Sequence, residues 1–310
     1  MKVLVTGATG FIGKALVSKL QREGHAVIAW VRDTEAAKPA LGAEVELVSG
    51  AELEPAIARA GGVVNLAGEP ILGRWTAAKK ARVTESRVAL TKRVAAATSG
   101  AQAGPQGGPQ VLVSASAVGY YGDRGDEILT EESSPGTGFL TDVCVAWEDA
   151  AKSVESRGVR LVRPRIGVVM GPGGGALDKM MTPFKLGAGG RLGSGQQFVP
   201  WVHLDDVLGL LVTALTDERY RGPLNLAAPE PVRNIELTEA LAKAVHRPAV
   251  VPVPAFAIKV ALGEAATMVL GSTRATPARA MALGFQFAWT DLRVALSAIV
   301  SASATAGAGG

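Results

Sequence analysis

Residues 2–13 read Lys-Val-Leu-Val-Thr-Gly-Ala-Thr-Gly-Phe-Ile-Gly. The apolar, β-branched run over 3–6 predicts a strand. Over 11–23, Ile12, Ala15, Leu16 and Leu20 recur at helical spacing, and Gly24 ends the helix. Gly7, Gly10 and Gly13 thus punctuate a strand-to-helix turn that also holds Thr9, Phe11 and Ile12. Glycine there allows a tight turn, close main-chain approach to a pyrophosphate and close helix–strand packing. The helix start adds free N–H groups and a partial positive charge. The turn therefore predicts a dinucleotide site.

Outward from the turn, strands and helices alternate. Strands are expected over 25–31, 44–48, 63–67, 111–114 and 159–163, with helices over 77–98 and 141–157 and a surface loop over 99–110. This alternation predicts an α/β Rossmann fold, a doubly wound parallel sheet. The rhythm then changes. Residues 171–195 read as glycine-rich loops, 204–215 as a helix, 224–226 as a strand and 229–300 as mostly helical. The expected organisation is a dinucleotide-binding domain over 1–170 and 204–228. A smaller, mostly helical substrate lobe takes 171–203 and 229–300, and a disordered tail takes 301–310.

Composition narrows the function classes. Of 310 residues, 48% are hydrophobic and 19% charged, enough to bury a sizeable core. The net charge of +4 comes without a dense Lys/Arg run, which argues against nucleic acid as a partner. Cys144 is the single cysteine, so one chain can build neither a disulfide framework nor a zinc cluster, and a reducing cytoplasm is the simplest setting. No apolar stretch reaches the ~20 residues of a membrane span, and no signal peptide is read before the first strand. No interface face stands out, so the oligomeric state stays open.

An NAD enzyme usually ends its second strand on a carboxylate that binds the ribose hydroxyls. Here Val31 and then Arg32 occupy that place. A guanidinium suits a 2′-phosphate, so NADP is favoured over NAD, with Asp33 the dissenting residue.

The Gly-x-x-Gly-x-x-Gly spacing and its Phe-Ile-Gly ending resemble the extended short-chain dehydrogenase/reductase superfamily. Later segments are similar to its "epimerase family protein" branch, also labelled NADP-dependent oxidoreductases or cell-division inhibitors. They include 65–71 (NLAGEPI), Arg74-Trp75, Glu85-Ser86-Arg87, 114–122 (SASAVGYYG) and Trp147-Glu148. The most specific lie between Gly167 and Asp206, and the Gly284-Phe285 region resembles a small appended domain of unknown function. The resemblance implies that Leu66, Ala67 and Gly68 lie along the adenosine side of the cofactor and that Arg87 faces it. It places Ser114 and Ser116 near the nicotinamide ribose, with the Val169 backbone approaching the nicotinamide.

Active members of the superfamily use a Tyr-x-x-x-Lys pair, in which lysine and cofactor lower the tyrosine pKa for proton exchange. Aligned on Glu148, this chain has Leu140 and Cys144 there. Substitutes are Ser116 to polarise a carbonyl, Tyr120 or Tyr121 to exchange a proton, and Glu148 or His203 as acid or base. Ser116 and Tyr121 are the chosen pair. Each also has a structural reading: the tyrosines as pocket wall, His203 beside a helix start, Glu148 paired with a cation of its own helix. The glycines at 173–175 permit close backbone approach or a mobile lid. Two functions follow: an NADP-dependent oxidoreductase acting on a small carbonyl-type substrate, or a non-catalytic NADP(H)-binding sensor.

Overall fold

The computed structural model describes residues 1–101, 107–249 and 251–308. Strands β1 (Lys2–Thr6), β2 (Ala26–Trp30), β3 (Glu46–Val48), β4 (Gly62–Asn65), β5 (Val111–Ser114), β6 (Arg160–Ile166) and β7 (Gly222–Leu226) form one sheet. The order is β7-β6-β5-β4-β1-β2-β3 and every pair is parallel. The two-residue strand Ser116–Ala117 continues beyond β5 and pairs with Arg165-Ile166. Strand order reverses between β1 and β4, and the crevice outside their carboxyl ends is where such sheets bind ligands. This is the expected Rossmann sheet.

The period-two alternation of strand side chains feeds a core on each face. Val3 and Val5 join Leu16, Leu20, Val207 and Leu211, from helices α1 (Phe11–Arg22) and α7 (Leu204–Thr216). A further helix, α2 (Thr34–Leu41), packs on that side. Leu4, Ile28, Val63 and Leu112 point the other way, against α3 (Leu53–Ala58), α4 (Ala77–Ala101) and a 3-10 turn at Lys152–Arg157 that follows α5 (Phe139–Ala151). Each face buries many complete aliphatic side chains, at roughly 1.5–3 kcal/mol apiece.

A third cluster joins α6 (Gly175–Lys185), α8 (Asn234–Ala244) and the C-terminal helix. Three further helices lie between them: α9 (Ala255–Leu262), α10 (Thr267–Leu270) and α11 (Ala278–Ala282). Trp201, Leu177, Met181, Leu237 and Leu241 form its centre.

Several elements depart from expectation. The final helix α12 runs Leu292–Ala308, so 301–308 are helical rather than a disordered tail; 309–310 lie outside the described residues. Leu292, Ala295, Leu296 and Ile299 bury one face at helical spacing, and the alanines that follow favour continuing the helix. Residues 171–195, expected to be loops, contain α6. The expected loop over 99–110 begins inside α4, and its residues 102–106 lie outside the described residues. Among the described residues, no helix is long and apolar enough to cross a membrane.

Candidate functional site

The turn between β1 and α1 lies against the end of β4. Gly7 has φ +70°, and a Cβ there would sit 2.8 Å from the Ala67 nitrogen. A Cβ on Gly13 would come within 2.1 Å of the Gly7 carbonyl oxygen, so only glycine lets helix and turn approach this closely. The Gly10 N–H donates to the Gly7 carbonyl at 3.0 Å. No side chain caps α1, and its first turn holds no acidic residue. The N–H groups of Phe11, Ile12 and Gly13 are therefore presented at a helix start free of protein anions. Thr9 and Gly10 are exposed beside them.

Phe11 has a second task. Its ring occupies the space that a Cβ at Gly171, Gly174 or Gly175 would need, at 3.1, 2.9 and 2.8 Å. The ring packs on the main chain at Gly174 and Gly175, whereas a Cβ at Gly173 would meet open space. A cleft of about 330 Å³ separates Thr9, Phe11 and Lys14 from Pro172, Gly173 and Leu204.

Beneath the turn lies a buried polar chain. Thr6 Oγ1 donates to Asn65 Oδ1 at 2.7 Å. Asn65 Nδ2 donates to Thr91 Oγ1 at 2.8 Å and to Ser114 Oγ at 3.3 Å. Trp147 Nε1 donates to Thr91 Oγ1 at 2.9 Å. Every member is satisfied, so the chain fixes the relative positions of the β1, β4 and β5 ends and of α4 and α5. Sequence reading singled out Ser114 but missed Thr6, Asn65 and Thr91; a polar residue ending each apolar strand was the available signal for Thr6 and Asn65, while Thr91 lies within α4.

Leu66, Ala67 and Gly68 leave β4 in the crevice, with Leu66 and Ala67 half-buried and Gly68 exposed. A Cβ on Gly68 would lie 3.0 Å from the Arg87 guanidinium carbon. Arg87 Nη1 donates to the carbonyls of Glu69 (3.0 Å) and Val83 (3.2 Å), and the guanidinium lies 5.1 Å from the Trp147 ring centre. Burial holds its pKa below the usual value, against the weaker opposing influence of Cys144 and Glu69. Among the described residues no carboxylate pairs with it. A half-buried cation without a counter-ion is costly, and suits a site that receives an anionic or hydroxyl-rich ligand.

At the end of β2, Val31 is buried and its N–H donates to Val48. Arg32 is the first exposed side chain beyond it. Asp33, the dissenting residue, caps α2 by accepting from the Ala36 N–H at 3.1 Å. The carboxylate that could compete for a ribose is thus used locally, while Arg32 acts close enough to help lower the Glu69 pKa, chiefly lowered by its bond to Lys79.

The far end of the crevice is different. Ser116 is buried and its hydroxyl donates to Glu148 Oε1 at 2.9 Å. Glu148 also accepts from Arg165 through Nε (2.7 Å) and Nη2 (3.1 Å), and from Arg163 at 3.2 Å. Its cations come from β6, not from its own helix as expected. Tyr121 is fully buried; its hydroxyl lies 2.7 Å from Asn225 Oδ1 and 2.9 Å from the Thr130 carbonyl, and accepts from Arg165 at 2.9 Å. Burial pushes the phenol up to about 12, despite the Arg165 charge. The expected pair of Ser116 and Tyr121 is therefore engaged in internal bonds. Tyr120 is half-buried, stacks on Arg165 at 3.5 Å, and its hydroxyl has no hydrogen-bond partner among the described residues.

Cys144 is buried, and burial with the Glu148 charge pushes its thiol up to about 12. Its sulfur packs against Gly119. His203 caps α7 by accepting from the Asp205 N–H at Nδ1, 3.1 Å away. Asp206 is held by the N–H groups of Ala288 and Trp289. Val169 is buried and pairs in register with Val202, in the short parallel strands Val168–Met170 and Trp201–His203. Arg163 and Arg165 were missed in sequence, although three arginines in one otherwise apolar strand signal buried polar partners, the Glu148 carboxylate for these two and main-chain carbonyls for Arg160.

Comparison with known proteins agrees with this geometry. Residues 3–227 match the model of the "NAD dependent epimerase/dehydratase family", and residues 253–299 match a domain of unknown function, DUF1731. The chain is 41% identical over 304 residues to the "Epimerase family protein SDR39U1 homolog, chloroplastic" of Arabidopsis thaliana, covering 97% of this chain and 87% of that protein. It is 34% identical over 303 residues to the epimerase family protein YfhF of Bacillus subtilis, covering 97% and 98%. A crystal structure of the human epimerase family protein SDR39U1 with NADPH superposes with a TM-score of 0.86 at 34% identity, covering 97% of this chain and 99% of that one. Its sequence, its sheet order and the turn at Gly7–Gly13 agree: the chain belongs to the NAD-dependent epimerase/dehydratase family, within the extended short-chain dehydrogenase/reductases, and carries the DUF1731 segment at its C-terminal end.

Proposed function

We propose that this protein binds NADP(H) in the β1–β4 crevice and reduces a small carbonyl compound to the alcohol. The observation that carries the reading is the pairing of an uncapped, anion-free helix start with a glycine turn too tight for any Cβ. The human relative of known structure was crystallised with NADPH. Thr9, Phe11, Ile12 and Gly13 hold the diphosphate with main-chain N–H groups, Gly10 closes the turn through its bond to Gly7, and Gly7 lets the turn close on Leu66 and Ala67. Arg32 takes the 2′-phosphate, because Asp33 is committed to α2. When bound, the dihydronicotinamide supplies a hydride to the carbonyl carbon, and one proton completes the alcohol.

The chain's own groups position and polarise. Arg87 sits beside α5, where Cys144 replaces the superfamily's lysine, and it supplies a cation from α4 instead. Ser114 and the Val169 main chain border the nicotinamide end. Tyr120, not Tyr121, is the phenol free to give the proton, and the Arg165 guanidinium stacked on its ring holds that ring in place. Ser116 orients Glu148 and, through it, Arg165. The single buried cysteine fits a reducing, cytoplasmic setting.

The sensor reading keeps one specific support: Ser116, Tyr121 and Glu148 are all engaged in internal bonds. Stereospecifically deuterated NADPH and a panel of carbonyl compounds separate the two. Label transferred to product, and lost in Tyr120→Phe, supports the reductase. Tight NADPH binding with no transfer across the panel favours the sensor.

A further inference from the structure

Residues 171–175 lead from the short strand Val168–Met170 into α6. Gly173, Gly174 and Gly175 follow one another with φ +75°, +155° and +76°, a backbone path that a side chain would strain. Pro172 and Gly173 are exposed, and among the described residues no main-chain hydrogen bond ties Pro172, Gly173 or Gly174 to another element. A segment so sparsely bonded opens readily.

What the segment does touch is Phe11. Chain neighbours aside, the three atoms nearest a Cβ at Gly174, and the three nearest one at Gly175, all belong to the Phe11 ring. At Gly171 the ring shares the contact with Leu204, whose Cβ lies 2.8 Å from that position. Phe11 is also the first residue of α1, whose start no side chain caps, and its N–H is among the donors assigned to the diphosphate. Its main chain thus sits in the cofactor turn and its ring against the entry to the small lobe. Helix α6 carries the contact onward, since Leu177 and Met181 pack in the third cluster with Trp201, Leu237 and Leu241.

We infer that Phe11 is a positioning residue that transmits cofactor occupancy to the small lobe. A helix start without a cap frays. A diphosphate bonded to that start stops the fraying and fixes the Phe11 main chain, and with it the ring. The fixed ring then holds residues 171–175 and the start of α6. By linkage, whatever orders α6 also favours the cofactor. The inference rests on the NADP(H)-binding reading and serves both of its forms. In a reductase the small lobe is set for substrate only after the cofactor has bound; in a sensor that lobe is the output.

The test is amide hydrogen exchange, read by mass over residues 7–13 and 171–178. It compares the free protein with protein at about fifty times the NADPH dissociation constant measured for each variant. NADPH should slow exchange over both segments of the native protein, by at least about tenfold over 171–178. In Phe11→Ala the slowing over 7–13 should remain, while that over 171–178 falls below about threefold. Gly174→Ala places a Cβ 2.9 Å from the same ring, should act alike, and serves if alanine at position 11 unfolds the protein. 2′-Phospho-ADP-ribose, which has the diphosphate but no nicotinamide, should slow 171–178 as NADPH does. Three results overturn the inference: unchanged exchange over 171–178 in the native protein, slowing that survives both substitutions, or slowing that needs the nicotinamide. If exchange over 7–13 is unchanged as well, the cofactor reading itself falls and takes the inference with it.

Discussion

The two ends of the crevice are built on opposite plans. At the β1–α1 turn the main chain presents donors to which the protein itself offers no anion. Past β5, Ser116, Glu148, Arg163, Arg165, Tyr121 and Asn225 bond to one another. The first end presents its donors outward; the second spends most of its polar groups on itself, with Arg163 Nε left without a partner among the described residues. A family resemblance carries over to the first end through geometry, because backbone N–H groups and glycines have few substitutes. It does not carry catalytic roles to the second, where the Tyr and Lys positions hold Leu140 and Cys144.

The comparison breaks most visibly at Gly13. In Gly13→Val the new side chain starts 2.1 Å from the Gly7 oxygen, so turn and helix must part. NADPH affinity measured by calorimetry should fall by at least about a hundredfold, roughly 3 kcal/mol. Retained affinity would show that the turn does not hold the diphosphate. A loss of comparable size, in stability rather than in binding, follows Glu148→Gln, which strands two buried or half-buried guanidinium groups. Losing one partner of such a network costs about 3–5 kcal/mol in denaturant unfolding, while NADPH affinity should change less than threefold. Hydride transfer lost without a stability change would show that Glu148 acts in the reaction rather than in holding Arg163 and Arg165.

Arg32→Glu sharpens the open end. A charge-assisted contact to a 2′-phosphate is worth about 1.5–3 kcal/mol, so NADPH binding should weaken roughly ten- to hundredfold, with NADH binding little changed. Equal losses for both coenzymes would show that Arg32 does not read the 2′-phosphate.

Much of the open end was legible in the sequence because it depends on local order. A strand, three spaced glycines and an amphipathic helix occupy consecutive residues, and neighbouring positions decide their geometry. The parallel sheet followed from the same alternation. The closed end depends on pairings far apart in the chain, 104 residues between Tyr121 and Asn225 and 32 between Ser116 and Glu148. No local pattern encodes which hydroxyl is consumed by such a bond, so Tyr121 and Ser116 looked as available as Tyr120. The tail misled for a different reason. Its low-complexity Ala/Ser composition resembles a disordered segment, but α12 is already nucleated on α8 through Leu292, Leu296 and Ile299, and alanine extends such a helix cheaply.

His203 lies between the two plans, next to Gly171 through Leu204. Its Nδ1 must be unprotonated to accept from the Asp205 N–H, while the Asp205 carboxylate, 3.5 Å away, favours the protonated ring. Burial wins and holds the pKa below 6.5. A base with a depressed folded-state pKa is taken up less readily by protons in the folded than in the unfolded chain. Its contribution is therefore fully present above about pH 6.5 and is lost as pH falls through the folded value. Burial raises the pKa of Asp206, which acts with the opposite sign, so the native protein alone does not isolate the histidine. The difference between native protein and His203→Asn does: asparagine still caps the helix but carries no proton. That difference, about 1 kcal/mol at most from capping, should be flat from pH 7 to 9 and shrink below about pH 6.5. If it grows instead, the attraction of Asp205 outweighs burial, and the start of α7 is held by an ion pair rather than by a neutral cap.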